Sequence, residues 1–244
     1  MGRVRSSLLL ALLLASCADR LDGRTAEEWS AEMTDREKGP AALAQLESRG
    51  EEAVLILTAI LGEGPAQARI QAAALLAKVG PDAAPAVPAL AEALKAKEKG
   101  VRGMAAIALG RIGEPAREAL VPLDRALSDS DVRVRVAASL AVYGITGESA
   151  APTRVLFGVF SSPDADVRAM VAEAFAEMGT PIVGFLVTSL KSDDETTRAN
   201  AARTLSAMGP GAAEARGALQ AALDDKSEAV RAAAAEALTR LEPR

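Results

Sequence analysis

Residues 101–113, VRGMAAIALGRIG, and residues 167–179, VRAMVAEAFAEMG, share one pattern: an aliphatic residue and an Arg, apolar residues three and four places after the Arg, larger apolar residues at seven and ten, and Gly at eleven. Apolar positions at 3, 4, 7 and 10 lie on one stripe of an α-helix. Gly after the last of them reads as the helix stop, since a residue without a Cβ takes positive φ at little cost. The same Arg recurs as Arg69, Arg102, Arg133, Arg168, Arg198 and Arg231, separated by 33, 31, 35, 30 and 33 residues. Gly80, Gly113, Gly144, Gly179 and Gly209 follow the first five at eleven places. A period of this length with a helical pattern inside it predicts stacked two-helix repeats.

Within each repeat the stripe defines helix A, with pairs such as Ala72-Ala73, Ala105-Ala106, Val136-Ala137 and Ala201-Ala202 followed by Leu76, Leu109, Leu140 and Leu205. Beyond the Gly, a second apolar pattern at 7, 10 and 14 places (Val87, Leu90, Leu94; Leu120, Leu123, Leu127) predicts helix B. The links from B to the next A are polar and acidic, as in Ser128-Asp129-Ser130-Asp131, Ser161-Ser162-Pro163-Asp164 and Asp224-Asp225-Lys226-Ser227. Such residues cap helix N-termini. In the repeat that starts at Arg133, Ile145–Gly147 reads as a three-residue insertion. Gly39, Ala42, Leu46 and Gly50, then Val54, Leu57 and Ile60, read as an eroded first repeat. Ahead of it, Thr25 and Glu28 have capping-box spacing, so a short helix with Trp29 is expected to cover that end of the stack. Glu228 to Leu241 reads as a helix A without its B.

Composition agrees with helices and removes several functions. Half of the 244 residues are hydrophobic and a quarter charged, enough to build a core, while aromatics are only 2%. There is no His and only one Cys, Cys17, so imidazole catalysis, a zinc site and an intrachain disulfide are excluded.

The first residues, MGRVRSSLLLALLLASC, combine Arg3 and Arg5 with a Leu-rich run and then small residues, as a secretory signal does. Leu14-Ala15-Ser16-Cys17 resembles the lipobox of bacterial lipoproteins, which implies acylation of Cys17 and removal of residues 1–16. The other reading is an ordinary signal cut after Ala18. Losing Arg3 and Arg5 leaves 26 basic residues against 33 acidic ones, a net charge of −7. That balance disfavours nucleic acid and anionic headgroups as partners. The organisation expected is a signal over 1–16, a short tether and capping helix over 17–34, and repeats over 35–241. The tether from Cys17 to Thr25 would reach about 28 Å if extended.

The V-R-x-x-A-A-x-x-L-x-x-[IVM]-G pattern (Val101-Arg102 to Gly113, Val167-Arg168 to Gly179) resembles the HEAT repeat, in particular the short HEAT-like class of phycobilisome lyases. The resemblance runs over about residues 35–241. It implies an all-α, right-handed solenoid of about six two-helix repeats, whose B helices line a concave face that holds other proteins. A bilin lyase needs a pigment cradle, HEAT-like hydroxylases need His and Glu ligands, and the DNA-glycosylase relatives need a basic aromatic surface. None of these features stands in this sequence.

The recurring Arg reads as a tie between neighbouring repeats rather than a ladder for a ligand. Arg154 and Arg216 stand seven places after Gly147 and Gly209, where Leu57, Val87, Leu120 and Leu186 are apolar in other copies. With Lys95, Arg125, Lys191 and Gln220 they are the candidate partner-binding residues. No catalytic, cofactor or metal site is expected. The function expected is a non-enzymatic scaffold in the bacterial cell envelope, anchored through Cys17 to the inner or outer membrane facing the periplasm, or free in the periplasm after cleavage at Ala18. The alternatives are an accessory lyase or other enzyme acting through carboxylates and Lys, and a purely structural envelope protein.

Overall fold

A computed structural model describes residues 20–241; Cys17 and the signal read above lie outside the described residues. Among the described residues the structure is helical apart from one hairpin of two two-residue strands. The A helices are Gly39–Arg49, Ala66–Val79, Lys99–Ile112, Val132–Thr146, Ala165–Met178, Glu195–Met208 and Glu228–Arg240. The B helices are Val54–Glu63, Val87–Ala93, Leu120–Ala126, Ala150–Phe157, Val183–Ser189 and Arg216–Ala222. The helices fall into two compact units. Of the described residues, one unit holds those up to Ala126 with Gly144–Thr146, and the other holds Leu127–Tyr143 and those from Gly147 on.

The stripe has the packing role that its spacing implies. Ala72, Ala73, Ala105 and Ala106 are wholly buried, as are Leu76 and Leu109 beside them. Small residues at this place let Ala66–Val79 lie close against Lys99–Ile112 in the first unit. Glu195–Met208 lies against Glu228–Arg240 in the same way in the second, with Ala201, Ala202 and Ala234 buried. Each buried Leu of helix B, such as Leu57, Leu90, Leu186 or Leu219, contributes about 1.5–3 kcal/mol of transfer free energy. The second unit also gathers all four phenylalanines of the chain into one cluster. Phe160 meets Phe175 edge-on at 5.4 Å and Phe157 meets Phe185 at 5.0 Å between centroids.

One repeat is read in the wrong register by the sequence pattern. Helix A of that repeat runs over Val132–Thr146 and stops at Gly147 (φ 71°, ψ 0°), so Gly144 is inside it and Ile145–Gly147 is not an insertion. Val134, not Val132, has the buried place of Val101 and Val167, and Ala138 and Ser139 have the place of Ala105 and Ala106. The repeating Arg is therefore Arg135, and the spacing becomes 33, 33, 33, 30 and 33. Gly144 has a different reason to be Gly: a Cβ there would stand 3.0 Å from the carbonyl oxygen of Gly110.

The helix stop is tighter than a left-handed C′ residue. At Gly113 the backbone takes φ 74°, ψ −140°, a region reserved for Gly, and the chain turns at once into a 3₁₀ segment, Glu114–Ala119. Equivalent segments follow Gly80 and Gly209, while Gly50–Ala53 and Thr180–Ile182 are shorter by about one turn. This explains why seven places after Gly does not name one helix position: Val87 and Leu120 open helix B, whereas Leu57 and Leu186 are a turn into it.

At the N-terminal end, Thr25 and Glu28 form the expected capping box, the Thr25 hydroxyl accepting from the Glu28 N–H at 3.2 Å and the Glu28 carboxylate from the Thr25 N–H at 2.8 Å. The helix Ala26–Thr34 packs on the first repeat and buries Trp29 completely. Arg20–Thr25, expected within the extended tether, is instead an antiparallel hairpin, Arg20–Leu21 with Arg24–Thr25. Asp22 and Gly23 both have positive φ, the geometry of a type I′ turn. The hairpin is fastened to the repeat by the Asp22–Arg49 ion pair, by Gln45 donating to Asp22 at 2.9 Å and by Arg24 lying 3.6 Å above the Trp29 ring.

Candidate docking surface

The repeating Arg closes each turn from B to A. Its guanidinium donates to the carbonyls five and six residues back: Arg102 to Ala96 and Lys97, Arg135 to Asp129 and Ser130, Arg168 to Ser162 and Pro163, and Arg198 to Ser192 and Asp193, at 2.7–3.3 Å. These carbonyls follow the end of helix B, where a cation is favoured. Arg69 departs from the pattern, donating to Leu61 O at 2.8 Å, because the link there is only Gly64-Pro65 and helix B runs on to Glu63. Two of the arginines also reach the next repeat: Arg198 grips Asp225 with two bonds of 2.8 and 3.0 Å, and Arg69 lies 3.8 Å from Glu98. Each of these arginines spends at least one nitrogen on the fold. The acids of the links cap helix A at Asp131, Asp164 and Asp194, but Ser227 gives its hydroxyl to Glu195 instead.

What the fold leaves open is the outer side of the helices B. Two places before the buried Leu, a rotation of about 160° from it, stand Leu55, Pro88 and Val121 in the first unit. All three are exposed, Leu55 by 63% and Val121 by 65%. Their helices pack side by side in order, so the three residues form an apolar row across three repeats, about 20 Å long at the usual helix spacing. Sequence reasoning missed this row, since it sought polar breaks in the apolar pattern.

All six predicted partner residues are exposed. In the first unit Lys95 is tied to Glu92 at 2.6 Å on the flank of the apolar row. Arg125, four residues after Val121 and so one turn along from it, makes no side-chain hydrogen bond or ion pair among the described residues. In the second unit Arg154, Lys191, Arg216 and Gln220 are likewise without such a bond. Arg154 is not a break in the apolar pattern, because helix A before it is a residue longer and Thr153 takes the place of Val87. Arg216 does take that place, exposed at the first residue of its helix. Arg154, Gly184 and Gly217 stand where Leu55, Pro88 and Val121 stand in the first unit, so the second unit has no such row.

The family described as HEAT repeats matches residues 54–144 and 153–239. This chain belongs to the HEAT repeat family. None of the curated proteins matches it. Among solved structures, the Kap95p–RanGDP complex holds a chain similar to this one at 16% identity and a TM-score of 0.54, over 88% of this HEAT chain and 34% of the other. A HEAT-like repeat protein of the archaeon Thermococcus onnurineus NA1 matches at 14% identity, covering 91% and 98% with a TM-score of 0.45. The complex of CpcE and CpcF, the phycocyanin lyase of Nostoc sp. PCC7120, matches at 22% identity, covering 90% and 95% with a TM-score of 0.45. A HEAT solenoid is a fold suited to protein–protein interaction.

Proposed function

We propose that this HEAT protein is a non-enzymatic docking scaffold of the bacterial cell envelope, held at a membrane by an acylated Cys17, and that a protein partner lies along the B helices of its first unit. The observation that carries the docking reading is the row Leu55, Pro88 and Val121, where two large aliphatic side chains stay almost two-thirds exposed at one helical register. Apolar centres with a polar rim are the usual anatomy of an interface. Here the rim is Glu92, Lys95 and the unpaired Arg125, so the partner segment is apolar with an acidic residue beside it. The anchor reading rests on the signal-like start and on the single Cys behind it. No single helix among the described residues is long and apolar enough to cross a membrane. Two residues, Ala18 and Asp19, separate Cys17 from the fastened hairpin at Arg20, and the three residue steps limit the reach to about 10 Å.

Affinity capture from solubilised membranes tests the docking reading, with the wild type beside a Leu55→Ser, Val121→Ser double variant. Substitutions at exposed sites change stability by about 0.5 kcal/mol or less, so the unfolding midpoint stays put while one stoichiometric protein partner is lost. Capture of the same partner by the double variant refutes the docking face; absence of any partner from wild-type captures favours a purely structural role.

A further inference from the structure

The second unit has a cavity of about 430 Å³ where the Ser161–Pro163 link meets the first turn of the helix Glu195–Met208. Two arginines line it, Arg168 and Arg203, with the hydroxyl-bearing Ser161, Ser162 and Thr196. Among the described residues neither arginine has a carboxylate within ion-pair distance, in a chain with more acids than bases. Both are held in place by other groups. Arg168 is half-buried and donates to Ser162 O and Pro163 O at 2.7 and 2.9 Å through one nitrogen only, which leaves the rest of its fork free. Arg203 donates to the side-chain oxygen of Asn200 at 3.3 Å, and Asn200, 4% exposed, is itself locked by donating to Phe160 O at 2.7 Å. Arg203 is exposed at the edge of the cavity, and the buried Asn200 amide gives its guanidinium a fixed neighbour there.

We propose that this cavity is a binding site for a carboxylate. Glu195 also lines it and accepts the Ser227 hydroxyl at 2.6 Å. Two guanidinium groups against one carboxylate leave a single positive charge, which suits a monoanion better than a phosphate dianion. Arg forks bind carboxylates through paired charge-assisted bonds, and the three hydroxyls offer further donors. The volume is within the range of small-ligand sites. The site belongs to the second unit alone, and its existence does not depend on the docking reading.

The full chain labelled with ¹⁵N is titrated with sodium propionate, and separately with the peptides acetyl-Ala-Glu-Ala-amide and acetyl-Ala-Gln-Ala-amide, at ionic strength held constant with chloride. Propionate or the Glu peptide is expected to shift the Nε–H signals of Arg168 and Arg203 saturably, with Arg203→Gln weakening that binding about tenfold or more. Arg240→Gln, an exposed Arg outside the cavity, keeps it. Tighter binding of the Glu peptide than of propionate assigns the carboxylate to a peptide, and equal binding assigns it to a free small acid. The proposal is overturned if chloride or the Gln peptide produces the same shifts, if inorganic phosphate binds more tightly than propionate, or if Arg203→Gln binds as the wild type does. The wild-type titration decides the matter by itself should the variant fail to fold.

Discussion

Arg168 and Arg198 offer a controlled comparison, because both close a link in the same way and only one of them also holds an acid. Arg168→Ala removes bonds to two carbonyls, at 2.7 and 2.9 Å. Hydrogen bonds from a charged donor put that loss at about 1.5–3 kcal/mol. Arg198→Ala removes the equivalent bonds, at 2.9 and 3.0 Å, and strands Asp225, whose side chain is 12% exposed beside an Arg that is 6% exposed. Breaking such a pair costs about 3–5 kcal/mol. The Ser227 N–H still donates to Asp225 at 2.8 Å, which holds the figure to the lower part of that range. The carbonyl bonds cancel between the two variants, so Arg198→Ala is expected to cost about 3 kcal/mol more than Arg168→Ala, a further drop of about 1 M in the urea midpoint at a slope near ~3 kcal/mol/M.

Urea unfolding followed by circular dichroism at several pH values checks both the size and the cause. The bonds from Arg198, helped by the Ser227 N–H and the nearby positive charge, hold the Asp225 carboxyl below the usual carboxylate range against the opposing effect of burial. A group depressed in the folded state contributes stability above its unfolded value, about 3.9 for Asp, and loses it as pH falls through the folded value. The gap between the two variants should hold from pH 7 to about 5 and close in stronger acid. Equal costs at pH 7, or a gap that persists unchanged to pH 2, would refute the assignment of the extra cost to Asp225.

Gly113→Ala forces a side chain into the φ 74°, ψ −140° turn and should cost about 1–3 kcal/mol, whereas Gly217→Ala, in the exposed first turn of the helix Arg216–Ala222 with nothing within 4 Å, should gain up to about 1 kcal/mol; thermal melts of both order them. Tyr143→Phe deletes the 2.7 Å bond from the phenol to Met178 O and should lower stability by about 1 kcal/mol by urea titration. Cys17→Ser should move the protein from the membrane fraction to the soluble fraction or leave it unprocessed, and unchanged partitioning argues against an acyl anchor.

The helical repeat was legible because burial acts on spacing. Ala105, Ala106, Leu109 and Ile112 recur at intervals that only a helix brings to one side, and all four are buried. The error at Arg133 arose where the chain offers two arginines two places apart, Arg133 and Arg135, and two glycines three places apart, Gly144 and Gly147. Counting selected the pair that kept the eleven-residue interval. The fold selects by contact: Arg135 reaches the link carbonyls, while Arg133 is exposed and 4.0 Å from Asp166. The hairpin was visible in Asp22-Gly23, a strong turn signal next to very short strands. The 3₁₀ segments were hidden, since their Pro, Ala and Glu residues carry no period of their own.

The apolar row of the first unit stayed out of sight for a different reason, since the search was for polar residues inside the apolar pattern and not for apolar residues outside it. Positions two before the buried Leu read Leu55, Pro88, Val121, Arg154, Gly184 and Gly217 only when each Leu is correctly placed, and the variable 3₁₀ links defeat a count from the Gly. The groups that hold each repeat together sit elsewhere: the Ala and Leu stripe of helix A, the buried Leu of helix B, and an Arg that satisfies the carbonyls of its own link. Because that Arg acts on the carbonyls behind it and, at Arg69 and Arg198, on an acid of the next link, closing a turn makes no demand on the outer side of helix B. The outer positions are then free to differ from one repeat to the next without disturbing the stack, apolar in the first unit and Arg or Gly in the second.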